Sequence, residues 1–180
     1  MIYNIIRAIL IGIILSVILV YAVVIYSLPK EKITDAEVRA IYARIVASTG
    51  QTQDAVPLEI LNDPTINAYT DGDTVYIYRG IINYAADDDE IALILGHEVA
   101  HNMLRHTKFD QFHVSTLEVS ESEANADKMG AFYMMRAGYD ICTARNIWKR
   151  FRNDYGDSQG EDHPTASYRY AQLNIGCGDN

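Results

Sequence analysis

The chain has 180 residues, enough for one domain with an appendage. Its 24 acidic side chains outnumber 15 basic ones, giving a formal net charge of −9. That balance argues against a nucleic-acid partner, which would favour a basic face; otherwise surface acidity mostly serves solubility.

The first predicted element is a membrane segment. Ala8 to Leu28 reads AILIGIILSVILVYAVVIYSL, 21 residues without a charge, and about 20 helical residues cross a bilayer core. A buried core helix would normally show a polar face. Arg7 precedes the run, and Pro29, Lys30 and Lys32 follow it. Tyr21 and Tyr26 lie toward its C-terminal end, where amphipathic rings prefer the interface. A cleaved signal peptide is the rival, with Val20 to Ala22 as a weak cleavage site. The apolar run continues past it and is longer than a usual signal core. Residues 1–29 are therefore expected to be an uncleaved transmembrane anchor and 30–180 one domain, with residues 30–33 as the only linker. No second run of that length exists, so the expectation is a single-pass protein. The flanking basic residues are too even to orient it.

Next comes a helix in TDAEVRAIYARIVASTG, where Thr34 and Glu37 have capping-box spacing, Val38, Ile41 and Ile45 form an apolar stripe, and Gly50 ends it. VPLEILND alternates like a strand, and INAYTDGDTVYIYRG reads as two strands around a turn at Asp71 to Asp73. Helices follow at about Asp88 to Arg105, with Asp87 and Glu90 as a capping box, at about Thr116 to Ala137, and at about Cys142 to Asn153. Pro164 opens a last short one. The pattern predicts an α+β domain with a small antiparallel sheet and several helices. Cys142 and Cys177 are the only cysteines. Their spacing fits no metal ribbon; a disulfide between them would need an oxidising compartment, and two reduced thiols are the alternative.

The chemistry is concentrated in HEVAH, residues 97–101. Residues four apart share a helix face, so His97 and His101 can grip one zinc ion, while Glu98 reaches a water whose pKa the metal lowers. The helix is apolar on most of its surface, with Ile91, Leu93, Ile94, Leu95 and Val99. Histidines and a glutamate in an interior helix need partners, because unsatisfied buried polar groups are costly. A catalytic site needs a third protein ligand and one open position. Leu104 and Thr107 stand where H-E-x-x-H-x-x-G-x-x-H requires Gly and His, which removes that class. Either cysteine is a weak option. Of Glu118, Glu121 and Glu123, the last has the best case, because Asp127 shares its face and can accept a hydrogen bond from a ligating histidine. Ala124, Ala126, Gly130 and Ala131 would let this helix pack closely. His106 lies off the ligand face and reads as structural; His113 receives no role.

NAY at 67–69, TVYIYRG, DEIALILGHEVAHNMLRH, ESEANADKMGAFYMMRAGYD and DHPTASYR occur in an order and spacing that resemble the HtpX-like and CaaX-prenyl-protease-like zinc metallopeptidases, over Asn67 to Arg169. The resemblance implies a gluzincin fold with one zinc, His97, His101 and Glu123 as ligands, Glu98 as catalytic base and Asp127 as the aspartate of E-x-x-x-D. His163, Pro164 and Arg169 match the family's H-P-x-x-x-x-R, which implies that His163 faces the cleft and helps stabilise the tetrahedral intermediate. Two departures stand out. Those families carry several membrane helices where this chain has one, and Glu161 stands where Ser or Thr is frequent. The layout looks like the short, exported or membrane-tethered members of protein quality control.

The expected function is therefore a membrane-anchored zinc endopeptidase acting on unfolded or misfolded proteins, with its domain on the extracytoplasmic side. A peptide would add as a strand along Val75, Tyr76, Ile77 and Tyr78. The alternative is a membrane-anchored binding or chaperone-like module with a structural zinc and no proteolysis. Oligomeric state is not readable.

Overall fold

The computed structural model describes residues 7, 11–21, 32–106, 116–158 and 163–178. The chain divides into a unit of Met1–Lys32 and a unit of Ile33–Asn180. In the first, residues 11–21 are helical. Among the described residues no helix is long and apolar enough to cross a membrane. The expected anchor, Ala8 to Leu28, lies partly outside them, and His113 and Glu161 lie wholly outside.

The second unit begins with α1 (Asp35–Ser48), whose capping box forms as expected: the Thr34 hydroxyl accepts from the Glu37 N–H at 3.3 Å, and Glu37 accepts the Thr34 N–H at 2.7 Å. Val38, Ile41, Tyr42, Ile45 and Val46 make its buried face, and the Tyr42 hydroxyl donates to Val56 O at 2.9 Å. Three strands follow, β1 (Leu58–Leu61), β2 (Ala68–Thr70) and β3 (Val75–Tyr78). The Asp71 side chain holds the β2–β3 turn, accepting from Asp73 N at 2.9 Å and Thr74 N at 2.8 Å. Gly72 takes φ 96°, a conformation glycine reaches without steric cost.

The sheet corrects two expectations. It is mixed rather than antiparallel, because β1 runs parallel to β3 while β2 runs antiparallel to it. Its order is β1-β3-β2, so Val75 to Tyr78 form the central strand and cannot offer an edge to a peptide. Their main-chain groups are engaged on both sides, at Leu58 to Leu61 and at Ala68 to Thr70. The alternation in VPLEILND signals a strand but not its direction of pairing, and the parallel partner lies across a thirteen-residue gap. The edge nearest the candidate site is β2, where Thr70 accepts from the Asn102 amide at 3.4 Å.

The remaining elements are helical: α2 (Arg79–Tyr84), α3 (Asp88–Leu104), α4 (Thr116–Arg136), α5 (Ile141–Ala144), α6 (Asn146–Tyr155) and α7 (Ala166–Gln172). Arg79 to Tyr84 was not read as a helix, and the expected single helix from Cys142 to Asn153 is two, α5 and α6. The last helix starts two residues after Pro164, capped by the Thr165 hydroxyl, which accepts from Tyr168 N at 3.1 Å. Helix α3 is the axis of the core. Every residue from Glu90 to His101 is buried, as fits a helix enclosed on all sides. Cys142 and Cys177 form a disulfide with Cα atoms 5.5 Å apart, which joins α5 to the segment after α7.

Candidate metal centre and active site

Helix α3 is anchored at both ends. At its start Asp87 accepts the Glu90 N–H at 3.1 Å, and Asp88, Asp89 and Glu90 lie in the first turn, where the helix dipole favours negative charge. The expected capping box is only half formed. The buried Glu90 carboxylate instead accepts the Ala86 N–H at 2.6 Å and pairs with Arg150 of α6, whose Nη1 lies 3.0 Å from Oε1. At its end Arg105 adopts φ 58°, a left-handed cap that stops the helix.

Helix α4 reaches α3 through glycine. A β-carbon on Gly96 would lie 2.7 Å from Gly130 O, and one on Gly130 would lie 2.6 Å from His97 N. The two backbones are therefore in contact at the first histidine. This brings Glu123 and Asp127, seven and three residues before Gly130, onto the histidine face.

Three donor groups converge there. His97 Nε2 and His101 Nε2 are 3.0 Å apart, Glu123 Oε1 is 3.1 Å from His101 Nε2, and Glu123 Oε2 is 3.3 Å from His97 Nε2. All three residues are buried and could hold one metal ion. A tetrahedral ion bound at about 2.0–2.1 Å spaces its ligand atoms about 3.3–3.4 Å apart, close to these separations.

A hydrogen bond behind the site orients His97. His97 Nδ1 is 2.8 Å from Asp127 Oδ1 and donates to it, so His97 Nε2 is an acceptor facing the centre. Asp127 is fully buried and held from its other side by α7. Arg169 Nε donates to Oδ2 at 2.9 Å, Arg169 Nη2 donates to Oδ1, and Gln172 Nε2 donates to Oδ2 at 2.6 Å. The Arg169 guanidinium lies 3.8 Å over the Trp148 ring. His101 Nδ1 is 3.1 Å from His106 Nδ1.

The electrostatics agree with a cation site. For Glu123 burial is the largest influence and raises the pKa, yet hydrogen bonds from His101, His163 and His97 outweigh it and hold the carboxyl below the usual range, as an anion. Asp127 is likewise pushed up by burial, and Arg169 with His97 brings it well below the ordinary value. His97 is pulled down by burial and by Arg169, but its bonds to Asp127 and Glu123 win and raise it to about 9. A metal ion at the centre would take the Nε2 lone pairs of both imidazoles; without it, protons there serve the contacts to Glu123.

Glu98 stays buried on the next edge of α3, and with His97 it lines a cavity of about 120 Å³. Ile66, Ile94, Ile147, Trp148 and Phe151 make the cavity largely apolar, and Asn67 and Ala68 bring the β2 edge to its rim. His163, exposed on the loop before α7, lines the same cavity and donates from Nδ1 to Glu123 Oε2 at 2.7 Å. The structure thus brings His97, Glu98, His101, Glu123, Asp127 and His163 together. Glu121 is exposed on α4, and Glu118 lies in a stretch whose side chains are not described.

The model of Peptidase family M48 matches residues 32–121, half of the chain. The chain belongs to this family. It is also 26% identical over 183 aligned residues to the Mitochondrial metalloendopeptidase OMA1 of Schizosaccharomyces pombe, covering 81% of this chain and 54% of that one. The protein of the same name from Arabidopsis thaliana is 25% identical over 150 residues, covering 64% of this chain and 31% of its own. That from Saccharomyces cerevisiae is 43% identical over 53 residues, 28% of this chain and 15% of its own. The chain thus spans about half the length of the fission-yeast relative, and less of the other two. Family M48 supports the resemblance drawn from the motifs.

Three contributors were not assigned roles from sequence. Arg169 was matched to the motif without a function, and Gln172 and Trp148 were not singled out. Arg169 and Gln172 lie three apart on one helix, a spacing that places both on the same partner. Gly96, beside His97 inside a long helix, carries a signal of close approach that the sequence alone does not assign to a partner.

Proposed function

We propose that the chain is a membrane-anchored zinc endopeptidase that hydrolyses peptide bonds in unfolded or misfolded proteins. The observation that carries this reading is the convergence of two imidazole nitrogens and an anionic carboxylate, with a second carboxylate, Glu98, beside them on a cavity wall. Two histidines and one glutamate are a donor set that suits zinc, and three protein ligands leave a position open for water. Bound there, zinc would supply a water of lowered pKa and a polarised scissile carbonyl.

The residues do the rest. Glu98 takes the proton of the attacking water and hands it to the leaving amine. Asp127 holds His97 in the tautomer that presents Nε2. His163, on the far side of the cavity, donates a hydrogen bond to charge developing on the substrate. The β2 edge at Ala68 to Thr70 accepts an extended peptide through main-chain hydrogen bonds, which tolerate many sequences. The apolar cavity receives one side chain of a kind that folded proteins bury and unfolded ones expose. The anchor is the apolar run from Ala8 to Leu28. The disulfide supports a domain in an oxidising, extracytoplasmic compartment.

The test uses the full chain in detergent with metal analysis and cleavage of unfolded casein. One zinc per chain with cleavage is expected, and Glu98→Gln should keep the zinc while activity drops at least roughly 100-fold. Zinc without cleavage in the wild type would return the chain to the class of binding modules.

A further inference from the structure

Asp127 accounts for only one of the two histidines. We infer that His106 is the positioning residue of His101, accepting its Nδ1 proton so that Nε2 faces the metal. The inference rests on the metallopeptidase reading above.

In an unbroken helix, a residue five after His101 would point about 140° away around the axis. The chain does not continue that way. Arg105 adopts φ 58°, the one positive φ at a non-glycine position among the described residues. Left-handed residues other than Gly, Asn and Asp are uncommon and carry a cost that surrounding contacts must offset. The cap turns the chain back, and His106 Nδ1 comes to 3.1 Å from His101 Nδ1, with the rings edge-on and their centroids 5.1 Å apart. His101 Nε2 is committed to the centre, 3.0 Å from His97 Nε2 and 3.1 Å from Glu123 Oε1. Once a metal takes Nε2, the only proton of His101 sits on Nδ1, and His106 Nδ1 must then be the acceptor, with the His106 proton on Nε2. A ligating histidine ordinarily donates its second N–H to a carboxylate, a carbonyl or water; here a neutral imidazole takes that place. The two ligands are thus held unequally, His97 by an anion and His101 by a neutral ring.

The experiment compares zinc affinity, by chelator competition on the full chain in detergent, for wild type, His106→Asn and His106→Phe. Asn places an amide oxygen near the Nδ1 position; Phe keeps the ring volume and offers no acceptor. Zinc binding should weaken roughly 10- to 100-fold in His106→Phe and recover to within a few-fold in His106→Asn. Equal affinity in all three, or equal weakening in both variants, would overturn the assignment. Should His106→Phe not fold, nitrogen-detected imidazole NMR of the zinc-loaded wild type decides: His101 must carry its proton on Nδ1 and His106 on Nε2, and the opposite tautomer in either ring refutes the inference. A wild type that holds no zinc would instead sink the metallopeptidase reading itself.

Discussion

Gly96 and Gly130 meet backbone to backbone where α3 and α4 cross, so that a β-carbon on Gly130 would lie 2.6 Å from the His97 nitrogen. Neither the nitrogen nor the helix behind it can move without shifting the histidine. Gly130→Ala should therefore destabilise the domain by about 1–3 kcal/mol, the usual cost of overpacking, and lower zinc occupancy as Glu123 is pushed away. Chemical denaturation and metal analysis measure the two effects. Asn125→Ala, on the exposed face of α4, should stay within about 0.5 kcal/mol of wild type.

Asp127 binds His97 and Arg169 together, both buried. Asp127→Asn strands the guanidinium in the interior, which costs about 3–5 kcal/mol when one partner of a buried pair is removed. It also weakens the hold on His97, and zinc affinity should fall roughly 10- to 100-fold. Thermal unfolding with and without zinc reads both numbers. Arg169→Lys should not rescue the pair, because an ammonium cannot make the two-pronged contact.

The raised pKa of His97, about 9 in the metal-free site, gives a signed pH dependence. A group whose pKa is higher in the folded than in the unfolded state stabilises fully below the unfolded value, about 6.5 for histidine, and that contribution is lost as pH rises through the folded value. Metal-free protein should lose stability between pH 6.5 and about 9. Zinc competes with the same proton, so zinc binding should release a proton at neutral pH and tighten across that window. Melting curves of chelator-treated and zinc-loaded protein at several pH values check this; a flat metal-free profile would contradict it.

The disulfide between Cys142 and Cys177 closes a loop with a sequence separation of 35. Loop-closure entropy assigns such a link about 3–4 kcal/mol. Cys142→Ser with Cys177→Ser, or reduction of the wild type, should lower stability by that order in denaturant titrations. The three candidate ligands, His97, His101 and Glu123, lie outside that loop, so zinc should remain bound at moderate denaturant.

Much of the site was legible because its chemistry demands local spacing. His97, Glu98 and His101 follow from one helical turn, and Glu123 with Asp127 from another. The fold was legible where patterns are local: the Thr34 cap, the turn at Asp71 to Asp73, and the enclosed run of α3. What escaped depends on contacts between distant segments. The parallel pairing of Leu58 with Val75 leaves no periodic trace, so the sequence presents Val75 to Tyr78 as an edge where the fold makes them the centre. His106 reads from sequence as structural rather than as a ligand, but its contact with His101 depends on the left-handed Arg105 that ends the helix, which helical spacing does not reveal. Arg169 lies 72 residues from His97, and only the folded chain brings the two together.

That separation has a bearing on timing. A nascent chain exposes HEVAH well before the segment carrying Arg169 and Gln172 leaves the ribosome. Until α7 docks, Asp127 lacks its cationic clamp and His97 its fixed orientation. An incomplete chain thus carries His97, His101 and Glu123 without the frame that aligns them.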